Sequence, residues 1–392
     1  MITNRSSERN ILLSEPCSIY IHWPFCQAKC PYCDFNSHVR GSINQEEWIK
    51  GYINSLKYWS EKIPTIKISS IFFGGGTPSL MSEKTVSKIL DTIFHLWACS
   101  PNIEISLEAN PTSVEAKKFR EFKSCGVNRL SMGIQALNDN DLKRLGRRHT
   151  ATEARKAFDI ATSTFHSVSF DLIYGRQHQT LKSWENELIE ALKIASGHLA
   201  LYQLTIEEKT RFGDLLKKGK LLGLPKTDAA VEFYKLTNHV CKSKEFYAYE
   251  ISNYAKKGKE CQHNLTYWRG RPFVGIGPGA HGRVDIANQR YLTEAPSNPE
   301  LWLHQALEKK FNEFSFEQLS NNEQADEYVI MGLRLKEGIS LSHYHNLTHR
   351  SLPKHKIDQL ISDNLIQIKN DKLQTTDHGA LFTNYIIKEL LC

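Results

Sequence analysis

The sequence predicts an α/β fold built on a parallel sheet, followed by a small, mainly helical C-terminal domain. Between Ser18 and Ile206, six short apolar segments alternate with amphipathic ones. Parallel neighbours need crossovers of this kind, so the alternation argues for parallel pairing. It fades after about residue 210, and from about residue 312 two helices, a hairpin and a helix follow in winged-helix-like order. At 392 residues, with 40% hydrophobic and 24% charged residues, the chain can form one large domain and one or two smaller ones.

The strand candidates are Ser18–His22, Ser70–Phe73, Ile103–Glu108, Asn128–Ile134, Ser167–Ile173 and Leu199–Ile206. They are rich in β-branched and aromatic residues and end at Gly, Pro, Asn or Asp. Val86, Ile89, Leu90, Ile93, Phe94 and Trp97 follow helical spacing and form one stripe toward a core. Thr112 with Glu115, and Thr150 with Glu153, have capping-box spacing, so helices begin there. Trp184, Leu188 and Leu192 mark a further helix. The right-handed crossover rule permits an open doubly wound sheet or a barrel. Either one places ligands at the carboxyl ends of the strands. Further on, helices are expected at 322–336 and near 351–363. Leu365–Ile368 and Leu373–Thr375 flank Asn370-Asp371, a hairpin signal, and a last helix runs to Leu391. The resulting division is an N-terminal segment over 1–17, the sheet domain over 18–245, a loop-rich module over 246–311 and the C-terminal domain over 312–392.

No stretch reaches the roughly 18 apolar residues of a membrane span. Met1 to Ser14 is polar and mixed in charge, without the apolar core of a secretory signal, so a cytoplasmic protein is expected. The formal charge of +7 is spread along the chain. Its densest group, Lys256, Lys257 and Lys259, reads as a solvated loop, and no nucleic-acid partner is expected. Nine cysteines, an odd number, argue against a disulfide framework. Cys17, Cys99, Cys125, Cys241, Cys261 and Cys392 are dispersed and read as small buried or incidental thiols.

Cys26, Cys30 and Cys33 stand within eight residues, directly after the first strand, in Cys26-Gln-Ala-Lys-Cys30-Pro-Tyr-Cys33. Three thiols on one loop can wrap a cluster or a single metal, and Lys29 would help hold them as thiolates. Structural zinc usually closes with four ligands in paired spacing, whereas three thiolates on a [4Fe–4S] cluster leave one iron open to an outside ligand. Zinc stays the rival, with His38 as its fourth ligand. Other marked positions lie at strand ends. Gly74-Gly75-Gly76-Thr77-Pro78 ends the second strand, Glu108 the third and Gln135 the fourth, and Asp171 lies near the end of the fifth. Successive glycines let backbone approach a polar ligand, and a buried strand-end carboxylate is costly unless paired. These positions are therefore read as ligand contacts. Arg147 either faces a carboxylate or sits at a solvated helix end.

The Cys-x3-Cys-x2-Cys spacing, with Tyr32 before the last cysteine, resembles the signature of the radical S-adenosylmethionine (SAM) superfamily. The resemblance implies a [4Fe–4S] cluster on Cys26, Cys30 and Cys33, with the open iron chelating the amino and carboxylate groups of SAM. It implies a SAM-cleaving potential, in which an electron from the cluster yields methionine and a 5′-deoxyadenosyl radical. The triple-glycine position would hold the methionine amino group. Nearly the whole chain, from Tyr20 onward, is similar to the oxygen-independent coproporphyrinogen III oxidase (HemN) group and, more closely, to its HemW branch. By that resemblance Tyr20, Tyr32, Gly75, Gly76, Thr77, Glu108, Gln135, Arg147 and Asp171 fall on SAM-contacting positions, and the sheet becomes a partial (β/α)6 barrel.

Two departures from the oxidases favour the HemW branch. The oxidases add a fourth cysteine two residues after the third, where Phe35 stands here, and only 19 residues precede Tyr20, too few for their N-terminal arm. His263-Asn-Leu-Thr-Tyr-Trp268 also matches the H-N-x-x-Y-W motif of HemW-type proteins, in which the histidine is associated with haem. A histidine can ligate haem iron, and Tyr267 and Trp268 can cover a porphyrin face. Cys261 is an alternative ligand outside the motif. The expected function is a haem chaperone that binds haem through His263 and hands it to haem-requiring proteins at the membrane. A radical enzyme of the oxidase type is the alternative. Oligomeric state stays open, a homodimer included. Gly275-Ile-Gly-Pro-Gly-Ala-His281-Gly282 is read as a tight loop beside the pocket, with His281 as a ligand contact. Tyr174-Gly-Arg176-Gln177 replaces the Gly-Leu-Pro usual after the fifth-strand aspartate, and Glu207-Glu-Lys-Thr210 the usual Glu-Pro-Gly-Thr. Both are expected to alter the pocket lining.

Overall fold

The computed structural model describes residues 15–311 and 314–391. Most of the 1–17 segment, and Cys392, therefore lie outside the described residues. Six parallel strands follow one another in both chain and sheet order: β1 (Cys17–Trp23), β2 (Lys67–Gly75), β3 (Ala98–Ala109), β4 (Arg129–Gln135), β5 (Ser167–Tyr174) and β6 (His198–Gln203). Helices Gln45–Lys62, Glu83–Leu96, Phe119–Ser124, Ala151–Thr164 and Leu181–Ile194 carry the crossovers. Side chains alternate between the two faces of each strand. Ile19, Ile21, Ile71, Phe73, Leu107, Leu130, Met132, Phe170 and Leu172 are buried in one continuous apolar core with Val86, Ile89, Leu90 and Ile93 of the crossover helix. The opposite set, which includes Ser18, Tyr20, Ser70, Glu108, Ser131 and Asp171, is mostly polar.

Phe273–Ile276 pairs parallel with β1 and is followed antiparallel by His281–Ile286, Gln289–Glu294 and Ser315–Gln318. Asn253–Ala255 and Tyr247–Ala248 extend the sheet beyond β6. The two ends of this sheet do not pair with each other, so the barrel is open. The 246–311 stretch, loop-rich by sequence, thus contributes five strands of two to six residues each. Strands so short show little alternation.

The C-terminal domain packs Asn321–Gly332, Lys354–Ser362, Thr383–Leu391 and the hairpin Ile366–Lys369/Lys372–Thr375 around Val329, Leu333, Ile339, Leu360, Leu373 and Ile386. Asn370 makes the turn with φ of 54°. The helix expected over 322–336 stops at Gly332, and an additional helix, Leu341–Thr348, has no buried residue and therefore no apolar stripe to reveal it.

Local signals mostly act as read. Thr150 and Glu153 form a reciprocal capping box. Thr112 accepts from Glu115 N, but the Glu115 carboxylate turns away to Ser79 Oγ and Asn110 N, so only half of that box exists. Phe94 is 44% exposed, and Trp97 lies beyond the helix end in extended conformation, its indole N–H donating to Ile63 O at 2.9 Å. Replacing Thr150 with Ala removes the first-turn cap and is expected to cost about 1 kcal/mol. The check is a lower urea midpoint at unchanged m-value.

Candidate functional site

After β1 the chain turns through Phe25–Cys26, which pairs parallel with His38–Val39, and His38 N donates to Pro24 O at 2.7 Å. This join closes the intervening loop over the carboxyl ends of the strands. Cys26, Cys30 and Cys33 all line one cavity there, together with Tyr32. Thr77 Oγ1 donates to Cys26 Sγ at 3.4 Å and Arg147 Nη1 to Cys30 Sγ at 3.3 Å. Burial pushes the Cys26 and Cys33 thiols up, opposed at Cys26 first by the Thr77 hydrogen bond and least by Arg147. Arg147 is not at a solvated helix end: it turns inward and also holds Asn110 Oδ1 at 2.8 Å and Gly133 O at 2.7 Å. Lys29, expected beside the thiols, lines the same cavity, with its Nζ 3.5 Å from Ser37 O and no hydrogen bond to a sulfur.

The end of β2 seats against this loop. Gly76 N donates to Trp23 O at 2.6 Å and Thr77 N to Phe25 O at 2.8 Å. Gly75 has φ of 105°, and a Cβ on Gly76 would lie 2.6 Å from Phe25 O. Glycine is required at both positions, by conformation at one and by close approach at the other. From β3 and β5, Glu108 and Asp171 face the same cavity. Burial, reinforced by Asp171, pushes Glu108 up to about 8. Burial also pushes Asp171 up to about 7, against a hydrogen bond from Ser131 Oγ at 3.4 Å. Gln135 ends β4 at φ of 74°.

Tyr20 does not line the cavity. Its hydroxyl meets His22 Nδ1 at 3.0 Å, and His22 Nε2 meets Asn36 O at 2.9 Å, which ties the barrel interior to the cysteine loop. His38 Nε2 engages Asn36 Oδ1 at 3.0 Å and also stands outside the cavity. His281 does not line the cavity: its exposed side chain stands 3.8 Å from Glu294 Oε1. Its loop does buttress the site, because Asn36 Nδ2 donates to Pro278 O at 3.0 Å. His263 is buried in the barrel, with Nδ1 at 2.8 Å from Ser70 Oγ and Nε2 at 2.7 Å from Tyr267 Oη. Burial lowers its pKa to about 3. Cys261 Sγ donates to Glu104 Oε1 at 3.3 Å and is equally interior.

Both motif departures lie behind the cavity and not in its lining. Arg176 is 3% exposed and donates to Ile173 O at 2.7 Å, Gln135 O at 3.3 Å and Asp141 Oδ2 at 2.9 Å, and to Glu187 Oε2. Glu187 in turn accepts from Leu137 N at 2.7 Å. The cluster thus clamps the left-handed turn at Gln135. Thr210 caps the helix Arg211–Lys217, whose Phe212 N donates to Pro31 O at 2.8 Å within the cysteine loop.

The residues present fit an iron–sulfur cluster with a polar ligand beside it. Three thiols share the cavity, yet no three His, Cys, Asp or Glu side chains among the described residues are placed to hold a single ion. Thiolates on separate irons of a cluster stand farther apart than ligands of one zinc. Gln135 Oε1 and Arg147 Nε are buried beside them with no protein partner, as a polar ligand would require.

The family model of the radical SAM superfamily matches residues 20–189, and that of the HemN C-terminal domain matches residues 319–382. Heme chaperone HemW of Haemophilus influenzae is 36% identical over 387 residues, covering 96% of this chain and 98% of that protein. The chain belongs to the HemW family. Heme chaperone HemW of Escherichia coli is 34% identical, with 96% of this chain and 98% of that protein covered. HemW of Bacillus subtilis is also 34% identical, with 95% and 99% covered. The solved coproporphyrinogen III oxidase (HemN) of Escherichia coli shares the fold, with a TM-score of 0.80 at 18% identity over 96% of this chain and 90% of that one. Membership of the radical SAM superfamily implies a [4Fe–4S] cluster and SAM for this HemW-family chain.

Two outcomes test this geometry. Replacing Arg176 with Ala leaves Asp141 and Glu187 without their buried cation, an expected loss of about 3–5 kcal/mol in urea unfolding. Glu108 and Asp171 bind their protons more tightly folded than unfolded, so the stability they contribute is complete below the ordinary 4.5 and 3.8 and is lost as pH rises through about 8 and about 7. The thermal midpoint of ligand-free protein should fall across that interval, and fall less in Glu108→Gln.

Proposed function

We propose that the protein is a cytoplasmic haem chaperone that hands haem to haem-dependent respiratory proteins at the membrane. Kinship with proteins named heme chaperone, along nearly their full length, supports the reading. No helix among the described residues is long and apolar enough to cross a membrane. Phe35 is the observation that favours a chaperone over an oxidase. It lines the cavity, 59% exposed, where the oxidases carry a further cysteine. Acceptor identity and a homodimeric state are finer parts of the same proposal.

In this reading Cys26, Cys30 and Cys33 would hold the cluster, leaving one iron open to SAM. When bound, the cluster supplies one-electron chemistry toward SAM. Thr77 donates to the sulfur of Cys26 and Arg147 to that of Cys30. Gly75 and Gly76 line the cavity and would let backbone approach the amino acid portion of SAM. Tyr32, Gln135, Glu108 and Asp171 offer polar groups around the cavity, and Tyr20 supports them from below. His263 has both ring nitrogens engaged and a buried side chain, so haem on it would have to displace Ser70 or Tyr267 from the ring.

Anaerobically reconstituted protein, given reductant, SAM and coproporphyrinogen III, should yield no protoporphyrinogen by chromatography, while added haem should bind. Protoporphyrinogen formation would make the protein an oxidase and overturn the reading.

A further inference from the structure

Two of the three cysteine sulfurs receive a hydrogen bond from the barrel. Thr77 Oγ1 accepts from Asn110 Nδ2 at 3.3 Å, which leaves its own proton for Cys26 Sγ, and Arg147 Nη1 meets Cys30 Sγ. Cys33 is served from within its own loop. Burial raises its thiol most, opposed by the Phe35 backbone N–H and, less, by the Ser37 hydroxyl.

Ser37 lines the same cavity and is 6% exposed. Its Oγ is buried without a well-aligned hydrogen-bond partner among the described residues. Buried hydroxyls are ordinarily paired. One left open in a cavity wall therefore marks a place for a partner from outside the protein. The backbone that carries it is pinned on both sides. Asn36 Nδ2 donates to Pro278 O at 3.0 Å and Ser297 O at 2.9 Å, and Asn36 O meets His22 Nε2 at 2.9 Å. On the other side His38 N donates to Pro24 O at 2.7 Å, and His38 pairs with Phe25 beside Cys26. Only the short side chain is free to turn. The groups it acts on are the thiols of Cys26 and Cys33, both of which it favours in the charged form.

We propose that the Ser37 hydroxyl donates to a cysteine sulfur of the bound cluster, Cys26 or Cys33, and thereby sets the cluster's reduction potential. The proposal rests on the cluster reading of the three cysteines and is independent of where haem binds. Hydrogen bonds to the sulfurs are among the features that set iron–sulfur potentials. Reduction adds one electron to the cluster, and a donor to sulfur stabilises the added negative charge. The donor thus favours the reduced form and makes it a weaker one-electron donor toward SAM. Thr77 and Arg147 act in the same direction, but each also holds Asn110, so their loss would disturb the cavity wall. Ser37 stands on the cysteine loop itself, and its hydroxyl can be removed without touching those contacts.

The test is a potentiometric titration of the anaerobically reconstituted full chain without SAM, followed by cluster absorbance and by electron paramagnetic resonance of the reduced state. Iron and sulfide content and SAM affinity are measured alongside. Ser37→Ala is expected to shift the midpoint to a more negative potential, with cluster content and SAM affinity as in wild type. Ser37→Gly, also without a hydroxyl, should shift it the same way, and Ser37→Thr, which keeps the hydroxyl, should restore the wild-type midpoint. Loss of the cluster from the Ala and Gly variants, with Ser37→Thr at the wild-type midpoint, would equally support donation. A wild-type midpoint in both hydroxyl-free variants would overturn the proposal; if SAM binding alone weakened, the hydroxyl would belong to SAM. Loss of the cluster from all three variants would make Ser37 a part of the loop's fold and overturn it as well. Wild-type protein that takes up no four-iron cluster would overturn the cluster reading and this proposal with it.

Discussion

Where β1 leaves the barrel, Gly76 and Thr77 donate their backbone N–H groups to Trp23 O and Phe25 O, and the cysteine loop hangs on that join. It sets how far Cys26 stands from the end of β2, and it brings the Thr77 hydroxyl to the Cys26 sulfur. A side chain at Gly76 would strike the Phe25 backbone, so the triple glycine serves the seating of the loop as much as access for a ligand. From the opposite side of the cavity Arg147 reaches Cys30, and Phe212 N holds Pro31. The loop is thus fixed at both ends and at its middle, although it has almost no regular structure of its own.

The barrel interior is mostly polar, and its sheet ends do not pair with each other. The helix Gln262–Trp268 meets that interior with hydrogen-bonding side chains: His263 to Ser70 and Tyr267, and Thr266 to Ser18. Glu104 of β3 accepts from the backbone N–H groups of Gln262 and His263, satisfying donors that a helix start leaves open. Such a network is stable only when every member is paired. A histidine inside it is held neutral, with both ring nitrogens occupied.

Arg176 shows how a departure from a motif can act without touching a ligand. Its guanidinium spans Asp141, Glu187 and two strand-end carbonyls through Nη1 and Nη2, so the buried charge meets two carboxylates. Asp141 belongs to the short helix that leads toward Arg147, and Gln135 is the next turn along. The clamp therefore bears on two cavity residues at once, from the side away from the cavity.

The sequence by itself determined the order of β1 to β6, the crossover helices, the hairpin near Asn370 and the grouping of the three cysteines. Each of these rests on local periodicity, turn chemistry or spacing, which a chain displays in one dimension. The family resemblance in the motifs extended that reading to the partial barrel and to most of the cavity residues. The tertiary structure alone decided three matters: that strands between residues 247 and 318 complete the sheet, that Arg147 and not Lys29 meets a cysteine sulfur, and that His263 faces inward while Trp268 borders a groove. These depend on which distant segments pack together. A histidine on a short helix has no periodicity to say which way it points, and only its partners, Ser70 on β2 and Tyr267, settle that it belongs to the interior.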